Sequence, residues 1–424
     1  MNPSEPMLLR GYDRNEAAGP GTGVDPCGRF SALEIASGTP FGCYPEDCAA
    51  EAASSPRTAL ASLVRPMLAQ SPCFIAFSGG RDSSALLAVA VDLARREGWA
   101  LPVPVTLRFT GASTDETAWQ EMMLRHLKLN EWVRLDIADE LDLLGPVARS
   151  GLQRHGLLYP ANAHFIVPMA RAATGGSLLT GVGGDDVFGN WPWHDLASVL
   201  AGRERLQFSH ARRAAHLAAP LSLRAEIACR REPLGLPWIV ASERRRVARL
   251  LAREIGGAPR TWSSRMLWSA RWRPWRETVR SIELLARDSG ANIASPFLDP
   301  GFLASLARAG GRLGWGNRGA STRALFGDLL PETVIRRRDK AEFSGPLFGA
   351  ATRRFAAQWN GGAGPASGLI DTYVLREVWR SGHPHFLSTM ALQAAWITSN
   401  SSTDEDRSTP EIVPATGSRS SPHR

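Results

Sequence analysis

Four short apolar runs mark the first half of the chain, at 73–77, 103–109, 132–137 and 177–180. Runs this short, bounded by glycine and polar residues, read as buried strands. Between them lie longer stretches with helical spacing, among them Asp115 to Leu129. Strands alternating with helices predict an α/β fold built on a parallel sheet with flanking helices. The pattern starts near Thr58 and turns mostly helical and irregular after about 195. This gives one unit over 56–399, with an α/β core at about 58–195 and a helical part at about 196–399. Residues 1–55 read as a short, partly disordered N-terminal extension, with one strand expected over Phe30–Ile35. Residues 400–424 are rich in Ser, Thr, Pro and charge, which predicts a disordered tail.

The chemistry concentrates where two of these strands end. The first run leads into Phe77-Ser78-Gly79-Gly80-Arg81-Asp82-Ser83-Ser84 and then an apolar helix. Glycines let the backbone approach a ligand closely. The free N–H groups and positive dipole end of the new helix favour an anion there. Ser78, Ser83 and Ser84 add hydroxyl donors. Asp82 would repel a bare phosphate, but it makes sense as a ligand of Mg²⁺ that phosphates also touch. The spacing is not G-x-x-x-x-G-K-[ST], so the ordinary P-loop is excluded. A tight turn with serine caps is the alternative reading. About a hundred residues later, Leu178-Leu179-Thr180 runs into Gly181-Val182-Gly183-Gly184-Asp185-Asp186. Two such strand ends in one parallel sheet can share a nucleotide and its metal.

The segment S-G-G-x-D-S-S resembles the pyrophosphate loop of the ATP pyrophosphatases. Together with the second loop it resembles the synthetase domain of the asparagine synthetase family. Ser295-Pro296-Phe297-Leu298-Asp299 is similar to that family's P-F-L-D segment, and Arg338-Asp339-Lys340-Ala341-Glu342-Phe343 to its late basic segment. The four motifs stand in the family's order over about residues 60–350, roughly two-thirds of the chain. The resemblance implies an adenine nucleotide alpha-hydrolase-like fold, with ATP and Mg²⁺ as cofactors. It implies activation of a carboxylate as acyl-AMP with release of pyrophosphate, then transfer to an amine or ammonia. Carried over residue by residue, Asp82 and Asp185 would hold Mg²⁺. Ser78, Gly79, Gly80, Ser83 and Ser84 would cradle pyrophosphate, and Gly181 would lie against the adenosine. Lys340 would stabilise both transition states, Arg338 would touch phosphate, and Glu283 would help orient the amine.

The resemblance breaks at three places. Only about 55 residues precede the first synthetase helix, and residue 2 is Asn, so no glutamine-hydrolysing domain is expected. Ammonia or an amine is expected from solution, from a separate amidotransferase chain, or from the substrate. The position where asparagine-forming members carry Glu, and beta-lactam-forming relatives Tyr, is Val182. Ahead of P-F-L-D the family's acid and arginine are replaced, in Ala291-Asn292-Ile293-Ala294-Ser295. The nucleotide half is therefore expected to be intact and the acceptor half changed. That pattern is closest in kind to the synthetases that close beta-lactam rings or the macrolactam ring of lasso peptides. The substrate would be a small-molecule or peptide carboxylate.

Composition changes this picture in one respect. The chain has 47 Arg and only 2 Lys, Lys128 and Lys340, so a lysine in the late basic segment stands out. Lysine is a compact point charge where arginine is a rigid fork. Net charge is +8, and residues 203–280 hold 18 Arg against 6 Glu. That region is a basic face for an acidic partner such as tRNA, or an Arg-rich helical subdomain; a tRNA-modifying adenylating enzyme, or a non-catalytic nucleotide-binding member, are the competing readings. Trp268, Trp272 and Trp275 follow the spacing of one helix face, although Pro274 interrupts it. Five cysteines without C-x-x-C spacing read as free thiols, and no apolar run approaches 20 residues. A cytoplasmic location without membrane contact is expected.

Overall fold

The computed structural model describes residues 29–45, 52–109, 115–189, 194–202, 205, 207–220, 222–223, 227, 236–337, 347–362, 364–381 and 384–407. Five strands form one parallel sheet in the order β3-β2-β1-β4-β5. They are β1 (Cys73–Ala76), β2 (Val103–Phe109), β3 (Val133–Ile137), β4 (Ser177–Leu179) and β5 (Asn292–Ala294). The first four match the apolar runs. The fifth is a three-residue strand inside a stretch the sequence pattern marks as helical and irregular. It is too short to carry a period, and its pairing with β4 defines it.

Side chains of the central strands alternate between two cores, as a pleated sheet covered on both faces requires. Ile75 and Leu179 enter one apolar cluster. Phe74 and Leu178 enter another on the opposite side. The first is closed by α2 (Pro56–Ala69) and α3 (Arg81–Glu97). The second face is covered by α6 (Ile166–Ala172) and α12 (Arg273–Asp288). Between these lie α4 (Thr117–His126), α5 (Pro146–His155), α7 (Gly184–Gly189), α8 (His194–Leu200), α9 (Phe208–Ala218), α10 (Ala241–Gly257) and α11 (Trp262–Ser269). After α12 come α13 (Pro300–Gly310), α14 (Arg318–Phe326), α15 (Glu332–Arg336), α16 (Ala350–Gln358), α17 (Thr372–Arg380) and α18 (Thr389–Arg407).

Phe30–Ile35 is not a strand. Ala32–Ser37 is a helix, α1, capped by Ser31. Ser31 accepts from Glu34 N–H while the Glu34 carboxylate accepts from Ser31 N–H, a reciprocal capping box. Two satisfied backbone donors outweigh the β-propensity of Phe30 and Ile35. Phe30, Leu33 and Ile35 then pack with Trp238, Trp379, Leu392 and Trp396 in a third, mostly helical core. The chain after Asn400 also differs from expectation: α18 continues to Arg407.

The tryptophan spacing does not mark one helix. Trp268 lies in α11, Trp272 is the extended residue before α12, and Trp275 lies within α12, whose first turn contains Pro274. The rings still form a stack, with centroids 5.6 Å apart for Trp268–Trp272 and 5.8 Å for Trp272–Trp275. No helix among the described residues is long and apolar enough to cross a membrane.

Candidate functional site

The strand order reverses between β1 and β4, and the crevice beyond their carboxyl ends is where open parallel sheets bind ligands. Both glycine loops emerge there. The loop after β1 is held in an open curl by its own serines. Gly79 takes φ +78°, a conformation that favours glycine. Ser78 N–H donates to Ser83 Oγ (3.2 Å), the two hydroxyls are 3.1 Å apart, and Gly80 N–H donates to Ser78 Oγ (3.3 Å). Gln120 Nε2 fixes the loop from outside through the Ser78 carbonyl (3.2 Å). Ser78 is exposed and Gly80 partly so. Ser84 behaves differently. Its side chain is fully buried and its Oγ has no hydrogen-bond partner, so it turns into the core rather than toward a ligand on the loop.

The second loop packs directly on the first. A Cβ at Gly181 would stand 3.1 Å from Ser83 N, so the bare side of this glycine faces the first turn of α3. A Cβ at Gly184 would stand 2.6 Å from Asp82 Oδ2, so the Asp82 carboxylate rests on the Gly184 backbone. Asp82 and Asp185 are thereby brought to one place. Each contacts Arg318, the first residue of α14: Nη2 meets Asp82 Oδ2 at 2.5 Å, and Nη1 meets Asp185 Oδ1.

Two more arginines flank this cluster. Arg337 is buried, pairs with Glu116, donates to the Gly79 carbonyl (3.0 Å) and lies over Trp119 at 4.6 Å. Its charge is committed to holding the loop against α4. Arg81 makes no side-chain hydrogen bond or ion pair with the described residues. Burial, and then the neighbouring Arg318 guanidinium, push Arg81 below its usual value. The three guanidiniums thus balance the carboxylates of Asp82, Asp185 and Glu116, and Arg81 is the cation of this group that is not held in an ion pair with a described residue.

The wall beside it is apolar and structural. Val182 packs against both cores, with its N–H on Thr180 Oγ1 (3.3 Å). Thr180 Oγ1 also meets Ser295 Oγ (3.2 Å), which joins the loop to the end of β5. Phe297 packs edge-on against Phe188 at 5.2 Å, and Asp299 caps α13 by accepting from Gly301 N–H (2.8 Å). The P-F-L-D segment thus braces the second loop. Asn292 lies at the opposite end of β5, where its side-chain amide donates to Gln70 Oε1 (3.0 Å). Its substitution does not touch the crevice.

Asp186 lies near two further groups. Burial, with Asp186 adding to it, raises the Tyr159 hydroxyl; burial lowers Arg265, and Asp186 opposes that. Glu283 is exposed on the outer face of α12 and makes no hydrogen bond or ion pair with the loops. Its role in orienting an amine finds no geometric support. The buried acid of that helix is Glu277, bonded to Tyr44 and Arg29. Lys340 and Arg338 lie outside the described residues.

A metal fit can be judged from the donors. Among the described residues, no group of three or more His, Cys, Asp or Glu forms a metal cage. Mg²⁺ does not need one, because it commonly binds through one or two carboxylates plus nucleotide phosphates and water. Asp82 and Asp185 supply that pair, and the guanidinium between them shows that a cation fits there. No curated protein matches the chain. The family model for asparagine synthase matches residues 57–398, which spans both glycine loops, the P-F-L-D segment and Lys340. With that match over most of its length, the chain belongs to the asparagine synthase family.

Proposed function

We propose that this chain activates a carboxylate as acyl-AMP and transfers the acyl group to an amine. Family membership supports an ATP-dependent amide-forming ligase in general. The observation that carries the finer reading is the convergence of Asp82 and Asp185, from two strand ends, beside a serine–glycine loop. In the first step a substrate carboxylate oxygen attacks the α-phosphorus of ATP. The bond to the bridging oxygen of the β-phosphate breaks, and pyrophosphate leaves. In the second step the amine nitrogen attacks the acyl carbon, the bond to AMP breaks, and the amine gives up a proton.

The residues divide these tasks. Ser78, Gly79, Gly80 and Ser83 of the first loop would meet the leaving pyrophosphate, with the Ser78 and Gly80 N–H groups exchanging their bonds to the loop's own hydroxyls for phosphate oxygens. Asp82 and Asp185 would hold Mg²⁺, which when bound neutralises phosphate charge. Lys340, placed by its motif alone, stabilises the developing charge of both steps. Val182 leaves the acceptor side without the acid or phenol found in the asparagine- and beta-lactam-forming relatives. This supports an acceptor that brings its own amine geometry, as an amino acid derivative or peptide closing a lactam does. A separate amidotransferase or peptide-binding chain fits the same scheme, and the chemistry suits the cytoplasm.

Calorimetric binding of α,β-methylene ATP, with and without Mg²⁺, tests this without knowledge of the acceptor. Wild type should bind the analogue only with Mg²⁺, and Asp82→Ala should lose that binding. Binding that is equal with and without Mg²⁺, or unchanged in the variant, overturns the assignment.

A further inference from the structure

Arg318 occupies an unusual place. It is the first residue of α14, where the helix dipole disfavours a cation. Its partners lie on two other elements: Asp82 in the first turn of α3 and Asp185 in the first turn of α7. One guanidinium fork thus joins the two carboxylates assigned to the metal. The arm is held only at its tip. Nε is buried without a hydrogen-bond partner among the described residues, and the aliphatic stem runs along Gly189, which carries no side chain. An N–H donor in that state is an unfilled site for an acceptor. Arg81 stands beside it as a second cation without an ion-pair partner among the described residues.

We propose that Arg318 is a partner-exchanging residue: it holds Asp82 and Asp185 together until a divalent cation takes them, and then turns to the incoming polyphosphate. A guanidinium and a divalent cation at this spot repel each other and compete for the same two carboxylates. When the acids pass to the metal, Arg318 becomes an unpaired cation beside a polyanion, with Arg81 at its side. Planar guanidinium forks suit phosphate oxygens as well as carboxylates. The exchange would make nucleotide and metal binding mutually dependent. The inference rests on the ligase reading above and concerns the positioning of metal and phosphate, not the bond-making groups.

The test uses two probes that should move in opposite directions in Arg318→Gln. Mn²⁺, a hard oxygen-seeking stand-in for Mg²⁺, is titrated alone by electron paramagnetic resonance. Its affinity should rise by about fivefold or more, because the competing cation is gone. The affinity for Mg·α,β-methylene ATP, by calorimetry, should fall by about tenfold or more, because a charge-assisted phosphate contact is gone. Arg318→Lys keeps the charge without the fork and should fall between. Should Arg318→Gln fold poorly, Arg318→Lys with melting curves in Mn²⁺ gives the same comparison, with a larger metal-induced rise than in wild type. A merely structural arginine predicts weaker or equal affinity for both probes, and that result overturns the proposal. Failure of the ligase reading looks different: wild type itself then binds no analogue, whatever the variants do. The metal gain should also vanish in the Asp82→Asn, Arg318→Gln double variant; if it persists, the metal is not taken by these acids.

Discussion

At the scale of single residues, the site depends on what Gly184 lacks. The Asp82 carboxylate sits where a Gly184 methyl group would be, 2.6 Å from Oδ2. Asp82 is short and anchored in a helix, so it cannot yield as a long side chain would. Gly184→Ala should displace it at an overpacking cost of about 1–3 kcal/mol. The variant should fold, with a lower melting temperature, and should lose Mg-dependent binding of the ATP analogue by about tenfold or more. Unchanged metal dependence would show that Asp82 is not a ligand. The sequence placed both acids after strand ends of one parallel sheet, which is why their juxtaposition was legible. Arg318 was not, because nothing in a linear pattern ties a residue 236 positions away to Asp82. One signal was available: Asn317 caps a helix that then begins with a cation, against the dipole. Ser84 shows the opposite limit. Two adjacent serines at a helix start look equivalent in sequence, yet the helix turns one hydroxyl to the loop and buries the other.

At the scale of elements, α1 fastens the N-terminal extension to the rest of the fold. Glu34 is buried and serves four partners: Ser31 N–H, Ser31 Oγ, Phe41 N–H and the Arg273 guanidinium. Ser31→Ala removes one cap and should cost about 1 kcal/mol. Glu34→Gln keeps the shape but leaves Arg273 charged and mostly buried, and should cost about 3–5 kcal/mol. Urea unfolding of the two variants separates these values; equal costs would mean that the ion pair contributes nothing beyond the cap. The S-x-x-E spacing of Ser31 and Glu34 was readable as a helix start, but alternating apolar residues compete with it in so short a segment. The short turn at Ala163–Phe165 fixes a second junction, where the His164 ring nitrogens face the carbonyls of Ala161 (3.2 Å) and Leu141 (3.0 Å). Two facing carbonyls favour an imidazolium, but complete burial outweighs them and holds the ring below its ordinary value. The unfolded chain therefore takes up a proton that the folded chain lacks. This stability is fully present above a pH of about 6.5 and is lost as pH falls below it. His164→Gln should flatten the dependence of unfolding free energy between about pH 7 and 5, well above the range where carboxylates titrate. An unaltered slope would place the acid sensitivity elsewhere.

At the scale of the whole molecule, the question is what the arginine surplus does. Part of it is spent on contacts with the protein itself. Arg57, Arg134, Arg149, Arg265 and Arg337 lie over aromatic rings at 4.6–5.7 Å. Arg273 joins the N-terminal extension to α12, and Arg337 locks the first glycine loop. Arg273 and Arg337, held in ion pairs and largely out of solvent, are not available to phosphate, whereas Arg134 and Arg149 remain exposed. Among the described residues of the Arg-rich region, Arg205, Arg212, Arg244, Arg245, Arg246, Arg249, Arg253, Arg260, Arg276 and Arg280 are exposed, and Arg245, Arg249 and Arg253 form one stripe on α10 at helical spacing. A stripe this small gives contact with any polyanion but little selectivity. Bulk tRNA on filters should therefore bind weakly at physiological salt, in the non-specific range of about 10⁻⁴–10⁻⁶ M, with affinity falling steeply as salt rises. Replacing the three arginines by Glu should lower the salt slope by about one unit per lost contact, while Mg-dependent binding of the ATP analogue stays as in wild type. The separation matters because a tRNA-modifying enzyme would need both sites on one substrate. Tight tRNA binding that survives added salt, or loss of nucleotide binding in the triple variant, would move the molecule toward that reading. Weak, salt-sensitive binding leaves α10 as a solvated face and keeps the chemistry at the crevice between β1 and β4.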